Sequence, residues 1–452
     1  MMAQPTPKTP CHGRGRPRGG APLPLLAAGT LALAACAPDA RAPGSAGGWA
    51  AAYDTVGDTI VVRTISGSIR GEPWRLVEEM SFGGIDGPEE YVFGRISSLA
   101  VGPRGRIFVL DEQAPALRVY DALGRYLATW GSKGNGPGEY ARPRALAVLS
   151  DGRVLVRDPD NGRITVFSPE GEPLDTWPIR GTFHTSRPLY TDRQDRTYTM
   201  IVLDPEADLD HWTFGLIRFA PDGTPEDTIP APPARYHEAM VEARNKESWS
   251  RTGVPFSPAE GWEFSPLGYF VHFVTSRYAL ELLRPDQPVL RIEKEYAPVP
   301  VAPGEARAAR ERIERDFRQI VPSWKWRGPP VPDHKPPFRR VILDAEGRIW
   351  VRLSRPGVER ENPAYDPRDP ASPATEWLEP VSFDLFMPDG AYLGRVDAPE
   401  GFSPSPWPVA RGDTVWAVVQ DELGVPRVTR FRQAPAPTSS ASAAGTSATA
   451  PS

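Results

Sequence analysis

Few groups in this chain stand at spacings that suit chemistry, and each has a structural competitor. Asp158-Pro159-Asp160-Asn161-Gly162 places side-chain oxygens at alternate positions, as a calcium loop does. The twelfth residue of such a loop, where a bidentate Glu is needed, is Pro169, so a turn held by Asx side chains is the better account. Gly134-x-Gly136-x-Gly138 resembles a phosphate cradle in spacing, but Pro143 and a strand follow it, not a helix N-terminus with Lys-Ser/Thr. His184, His211, His237, His272 and His334 stand at no metal-ligand spacing to one another or to a cysteine, and no G-x-S-x-G or H-E-x-x-H occurs. No metal site and no cofactor is expected. Tryptophan is the remaining candidate. Trp249, Trp262, Trp324, Trp326 and Trp377 fall in long segments and suit stacking on a sugar or peptide, or anchoring of those segments onto the body.

The elements that must position these residues are set by a repeat. Leu99-Ala100-Val101, Gly105 to Val109, Asp111, Val119-Tyr120, Gly124 and Leu127-x-Thr129-Trp130 recur 47 residues later, ending at Trp177, without a gap. A period of about 40 to 50 residues with two hairpin turns marks a β-propeller blade. Trp130 and Trp177 occupy one blade position and are expected in the core. Residues 344–351 and 386–393 restate the unit at offsets of 242 and 266, so this blade carries an insertion of 24 residues. Weaker units lie around 195–223, 270–292 and 412–431. Six blades result if the last is completed by Thr59 to Val62 and Trp74 to Val77, which closes the ring and removes open sheet edges.

Three segments exceed what blades need: 232–265, 297–337 and 356–378. Within the second, Ala306, Ala309, Ile313, Phe317 and Ile320 stand at helical spacing, with Glu311/Arg315 and Glu314/Arg318 at i,i+4, which predicts one amphipathic helix against the propeller. Long loops in a compact domain are usually functional or disordered, and tryptophans with a predicted helix argue against disorder, so at least two insertions are expected to meet on one face as a rim around the central funnel, with Trp324 and Trp326 as the best contact residues. Their Trp-Lys-Trp spacing puts both rings on one side.

The N-terminus carries an address. Lys8, Arg14, Arg16 and Arg18 precede an apolar run from Ala21 to Ala35 that ends in Leu33-Ala34-Ala35-Cys36. This resembles the lipobox of bacterial lipoproteins, which implies acylation of Cys36 and, with Ala37 next, an outer-membrane location in a diderm. Cys11 would leave with the signal, so no disulfide would support the fold. Cleavage would also shift the formal charge from −5 to −9. Arginine outnumbers lysine 46 to 6, which we read as codon bias, and the charge gives no case for nucleic acid. The expected organisation is a signal peptide (1–35), a flexible tether (36–56), the propeller (57–433) and an Ala/Ser/Thr/Pro tail (434–452) read as disordered.

Gly131 to Pro143, Asp151-Gly152-Arg153-Val154 and Asn161-Gly162-Arg163-Ile164-Thr165-Val166-Phe167 resemble the NHL repeat, and the chain is similar to bacterial six-bladed propeller lipoproteins with NHL-like blades. The resemblance implies an all-β propeller of NHL/TolB-like type and a habit of binding. Two functions follow as expectations. The first is a tethered, non-catalytic propeller binding an envelope protein, peptide or glycan. The second is a metal-dependent hydrolase or lyase of lactonase type, with its metal in the central channel; NHL-like peptidyl-hydroxyglycine lyases assemble zinc from separate blades. A cluster of Asp, Glu, Asn or His side chains converging on the axis favours the enzyme; aliphatics and arginine there favour binding.

Overall fold

The computed structural model describes residues 48–437, apart from 114, 209–210, 363–364 and 370–371. Cys36, the expected signal peptide and the tail beyond 437 lie outside the described residues. The fold is a six-bladed β-propeller. Blade 1 consists of Ile96–Val101, Ile107–Asp111, Ala116–Tyr120 and Tyr126–Trp130. Blade 2 repeats it with Ala145–Val148, Val154–Asp158, Arg163–Phe167 and Pro173–Pro178. Blade 3 is Tyr190–Thr191, Thr197–Val202, Phe214–Phe219 and Pro225–Pro230, and blade 4 is Glu260–Phe264, Phe270–Val274, Ala279–Leu283 and Val289–Lys294. Blade 5 is Phe338–Leu343, Ile349–Leu353, Ser382–Phe386 and Tyr392–Asp397.

Blade 6 joins the two ends of the domain. Val409–Arg411, Thr414–Gln420 and Pro426–Pro435 come from the C-terminal side, and Trp74–Phe82 adds the outer strand by antiparallel pairing from Trp74↔Pro435 to Phe82↔Val428. Only half of the expected closure holds. Thr59–Ser66 does not enter blade 6; it pairs in parallel with Val289–Lys294 at the outer edge of blade 4. Val62 is drawn there because its side chain is buried in one cluster with Leu280 and Ile292. Ala50–Val56, expected in the tether, pairs antiparallel with Thr59–Ser66, so regular structure begins before residue 57 and runs to Pro435.

The repeat is held between blades by one device. Trp130 is 7 % exposed and Trp177 2 %, each at the end of its blade's outer strand. Trp130 stacks on Phe167 of the next blade with ring centroids 6.0 Å apart, and Trp177 on Phe219 at 5.6 Å. Each indole lies on the glycine of the next blade's last turn, Gly171 for Trp130 and Gly223 for Trp177. Both glycines have positive φ, +101° and +88°, so the position demands glycine for conformation and for space. A second device recurs with the same 47-residue offset. Buried Asp111 accepts hydrogen bonds from the amides of Gly94, Arg95 and Gln113 at 2.9–3.2 Å. Asp158 accepts from Ala141 (2.6 Å), Arg142 (3.0 Å) and the Asn161 side chain (2.9 Å). The Asp158 to Gly162 segment therefore pins the loop that leads into its blade, as the Asx-turn reading expects.

The helix, α1, spans Pro303–Ile320, with Pro303 at its first turn, where the missing N–H costs nothing. Ile313 and Phe317 are buried against Val241, Ala243 and Val254. Arg318 pairs with Glu314, and Arg310 Nε with Glu314 Oε1 at 3.0 Å; the expected Glu311/Arg315 pair is not among the ion pairs of the described residues.

Candidate ligand-binding cleft

Strands alternate in direction within a blade, so its second-to-third connection and the connection to the next blade leave at the same end. The hairpin Met240–Arg244/Trp249–Gly253 joins blades 3 and 4, α1 joins blades 4 and 5, and the hairpin Val358–Glu361/Thr375–Leu378 joins the second and third strands of blade 5. All three insertions therefore emerge on one face. They enclose a cleft of about 1310 Å³, completed by residues 398–404 between blades 5 and 6. The central channel is a separate cavity of about 220 Å³ that shares no lining residue with the cleft. The insertions meet as expected, but over blades 5 and 6 instead of around the funnel.

A buried ion network holds the cleft in shape. Lys335, whose side chain is wholly buried, donates from Nζ to Glu305 Oε1 on α1 (2.6 Å) and to the carbonyl of Arg355 (2.8 Å). Its Nζ lies 3.6 Å from Glu379 Oε2, which accepts from Arg339 Nη1 at 2.8 Å. The Lys335 and Arg339 cations lie 5.1 and 5.3 Å from the Phe256 ring centroid. Helix, hairpin return and the strand opening blade 5 are thus tied at one point, and removing one partner strands a desolvated charge, which typically costs about 3–5 kcal/mol. α1 approaches the blade 5 hairpin at Gly304, where a Cβ would stand 2.9 Å from a ring carbon of Trp377.

The five candidate tryptophans separate. Trp377, half-buried, lines the cleft. Trp324 does not: its indole N–H donates to the carbonyl of Glu242 at 2.7 Å and its ring meets Phe317 edge-on at 4.9 Å, clamping α1 to the first hairpin. Trp326 lies on the same side, 6.2 Å from Trp324, and borders a second hollow on the opposite flank of α1. Trp249 is 46 % exposed and lines neither hollow. Trp262 is not in an insertion at all; it sits in the innermost strand of blade 4, 8 % exposed, with the Arg187 guanidinium 3.9 Å over its ring. The residues that shape the cleft, Phe256, Glu305, Lys335, Arg339, Arg352 and Glu379, were not among the candidates. The available signal was three arginines, Arg339, Arg340 and Arg352, in otherwise apolar strands of blade 5.

The channel lining mixes aliphatics such as Leu99 and Val101 with Arg144, Arg187, Arg411, Glu263 and Asp344. Glu263 is buried, and burial pushes its carboxyl up to about 7, against the pull of Arg187 and Tyr190. Both its oxygens are engaged, Oε1 by Arg187 at 3.1 Å and Oε2 by the Tyr190 hydroxyl at 2.9 Å. Asp344 is held by Arg348 and Trp350. Elsewhere, His272 lies between Glu260 (2.7 Å) and Glu281 (3.6 Å), but Glu260 also binds the amides of Arg235 and Tyr236, and Glu281 binds Arg291. Among the described residues no group of three or more His, Cys, Asp or Glu is arranged to hold a metal ion. Among the described residues lining the channel the acidic groups are Glu263 and Asp344, and both are held by partners within the protein.

A family model described as a 6-bladed beta-propeller matches residues 78–176. No curated protein matches the sequence. Among solved structures, a member of the DUF4221 family from Bacteroides vulgatus superposes with a TM-score of 0.47 at 9% identity, covering 81% of this chain and 99% of that one. A streptogramin B lyase gives 0.38 at 9% identity, covering 80% and 98% of the two chains. A putative gluconolactonase gives 0.34 at 13% identity, with 80% and 94% covered.

Proposed function

We propose that this chain is an extracytoplasmic lipoprotein with NHL-like blades, tethered through Cys36 to the cell envelope, that binds a protein, peptide or glycan partner without catalysing a reaction. The observation that carries this reading is the convergence of three insertions, far apart in sequence, on one cleft with both aromatic and charged walls. The engaged state of Glu263 and Asp344 supports binding over catalysis, because neither carboxylate is free to act on a substrate in the channel.

Two measurements test the reading in intact cells. Metabolic palmitate should label the protein, and Cys36→Ala should abolish the label; label persisting in the variant overturns the anchor. A photo-crosslinking amino acid at position 377 should give a defined adduct, whereas the same group at exposed Leu123, in a turn of blade 1 at the opposite end, should not. Absence of an adduct at 377, or equal adducts at both positions, overturns the cleft as the binding site.

A further inference from the structure

We propose that the cleft floor is an anion-recognition subsite centred on Arg352, built for a carboxylate or phosphate group on a ligand that also presents an apolar or ring face. This rests on the cleft being the binding site and specifies the chemistry it selects.

The argument begins with register. Arg340 and Arg352 are directly opposite one another on the first two strands of blade 5. Like charges in a cross-strand pair destabilise a sheet unless something compensates them. Arg340 finds its own surroundings: its guanidinium lies 5.2 Å over the Trp407 ring and its Nη1 reaches the carbonyl of Pro404 at 3.5 Å. Arg339 is paired with Glu379. Among the described residues the Arg352 guanidinium forms no hydrogen bond, ion pair or ring contact, although it is half-buried and borders the cleft. Glu379 is engaged by Arg339, Lys335 and the Arg355 amide, and Glu305 Oε1 by Lys335, while Glu305 Oε2 has no hydrogen-bond partner among the described residues.

Burial lowers the Arg352 pKa; Glu379 opposes that shift, and Arg339 and Arg340 add to it, yet the group stays charged at neutral pH. A charged, partly desolvated guanidinium that no carboxylate contacts directly is an unfavourable arrangement by itself. It becomes favourable when an anion enters, because the planar fork accepts a carboxylate or phosphate in two-pronged fashion. The other cleft arginines differ. Arg251 and Arg312 are exposed on the rim, and Arg360 is paired with Glu376. Arg315, half-buried on α1, also has no ion pair among the described residues and borders the same space beside Glu311 and Asp316, so the helix wall carries both signs and the floor guanidinium is the group that selects an anion. Trp377, Phe256 and Phe402 border the cleft as apolar surface for the rest of the ligand.

The test uses the full chain in detergent, with benzoate and phenyl phosphate as probes and benzyl alcohol as the neutral control. Calorimetry and the Trp fluorescence change should show saturable binding of an anionic probe and none of benzyl alcohol. Preference between the two probes separates a carboxylate ligand from a phosphate one. Arg352→Gln should weaken anion binding at least tenfold, Arg352→Lys less so, and Arg125→Ala, in an exposed turn of blade 1, not at all. Relief of the Arg340 repulsion should also raise the anion-free melting temperature of Arg352→Gln, so a failure to fold cannot mimic the result. Equal anion binding by wild type and Arg352→Gln, no saturable anion binding by wild type, or equal binding of benzyl alcohol overturns the subsite. The position-377 adduct reports on the cleft independently: if it forms while the anion result fails, the binding site stands and the anion subsite alone falls.

Discussion

At the residue scale the informative group is Glu263, a buried carboxyl facing the central channel. Its folded-state pKa is raised to about 7 from an ordinary value of 4.5, so the folded protein holds this proton more tightly than the unfolded chain does. A group of this sign contributes stability that is fully present below pH 4.5 and is lost as pH rises through 7. The stability of wild type relative to Glu263→Gln should therefore fall between pH 4.5 and 7 and be flat outside that window. Chemical denaturation at a series of pH values gives this difference directly, and a flat profile would show that Arg187 keeps the carboxylate ionised throughout. Such a raised pKa inside a cavity often signals a catalytic acid or base. Here its cause is structural: a carboxyl buried on the innermost strand of blade 4, with both oxygens already bound by Arg187 and Tyr190.

At the scale of elements, the ring is assembled by blade-to-blade aromatic contacts. Replacing Trp130 or Trp177 by Ala should cost about 3–5 kcal/mol, the usual range for a large buried aromatic. Gly223→Ala should cost at least about 2 kcal/mol, since a methyl group there meets the Trp177 indole at a backbone angle that disfavours any side chain. The two sites should not be additive: in Trp177→Ala the ring is gone, and the added methyl then costs only its conformational share. Urea melts of the two single variants and the double variant measure this coupling; simple additivity would mean that the indole and the turn do not touch. The 47-residue offset made this device legible, because both partners repeat in register at Trp130/Trp177 and at the glycine of each turn. The cleft was not legible in the same way. It depends on α1 reaching two hairpins that lie some fifty residues to either side, and sequence carries no register between such segments. Trp324 and Trp326 have the right residue type and spacing for a binding surface, yet their indole N–H groups are spent on Glu242 and Pro329, which only the tertiary contact reveals.

For the whole molecule, the decisive contact is the closure of blade 6 by Trp74–Phe82. The apolar pattern showed that two N-terminal strands were available for this role, but the partner of each was set by three-dimensional fit. Thr59–Ser66 was drawn to blade 4 by the slot for Val62, and Trp74–Phe82 went to blade 6, where Phe82 meets Tyr120 of blade 1 at 4.5 Å. The two strands should therefore differ sharply in importance. Deleting residues 48–66 removes the outer pair from blade 4 but leaves all six blades with their four-stranded core, so the protein should elute without aggregates and melt cooperatively, with Tm lowered by about 5 °C or less. Deleting residues 48–82 leaves the edge of Pro426–Pro435 unpaired and uncovers the aromatic cluster around Tyr120. An exposed apolar edge of that length is a template for association. The longer deletion should lose its cooperative melt and elute as aggregates in size-exclusion chromatography. If it eluted like the intact protein with an unchanged melt, the ring would be held by its blade-to-blade contacts alone, and the pairing of the two chain ends would have no part in keeping it closed.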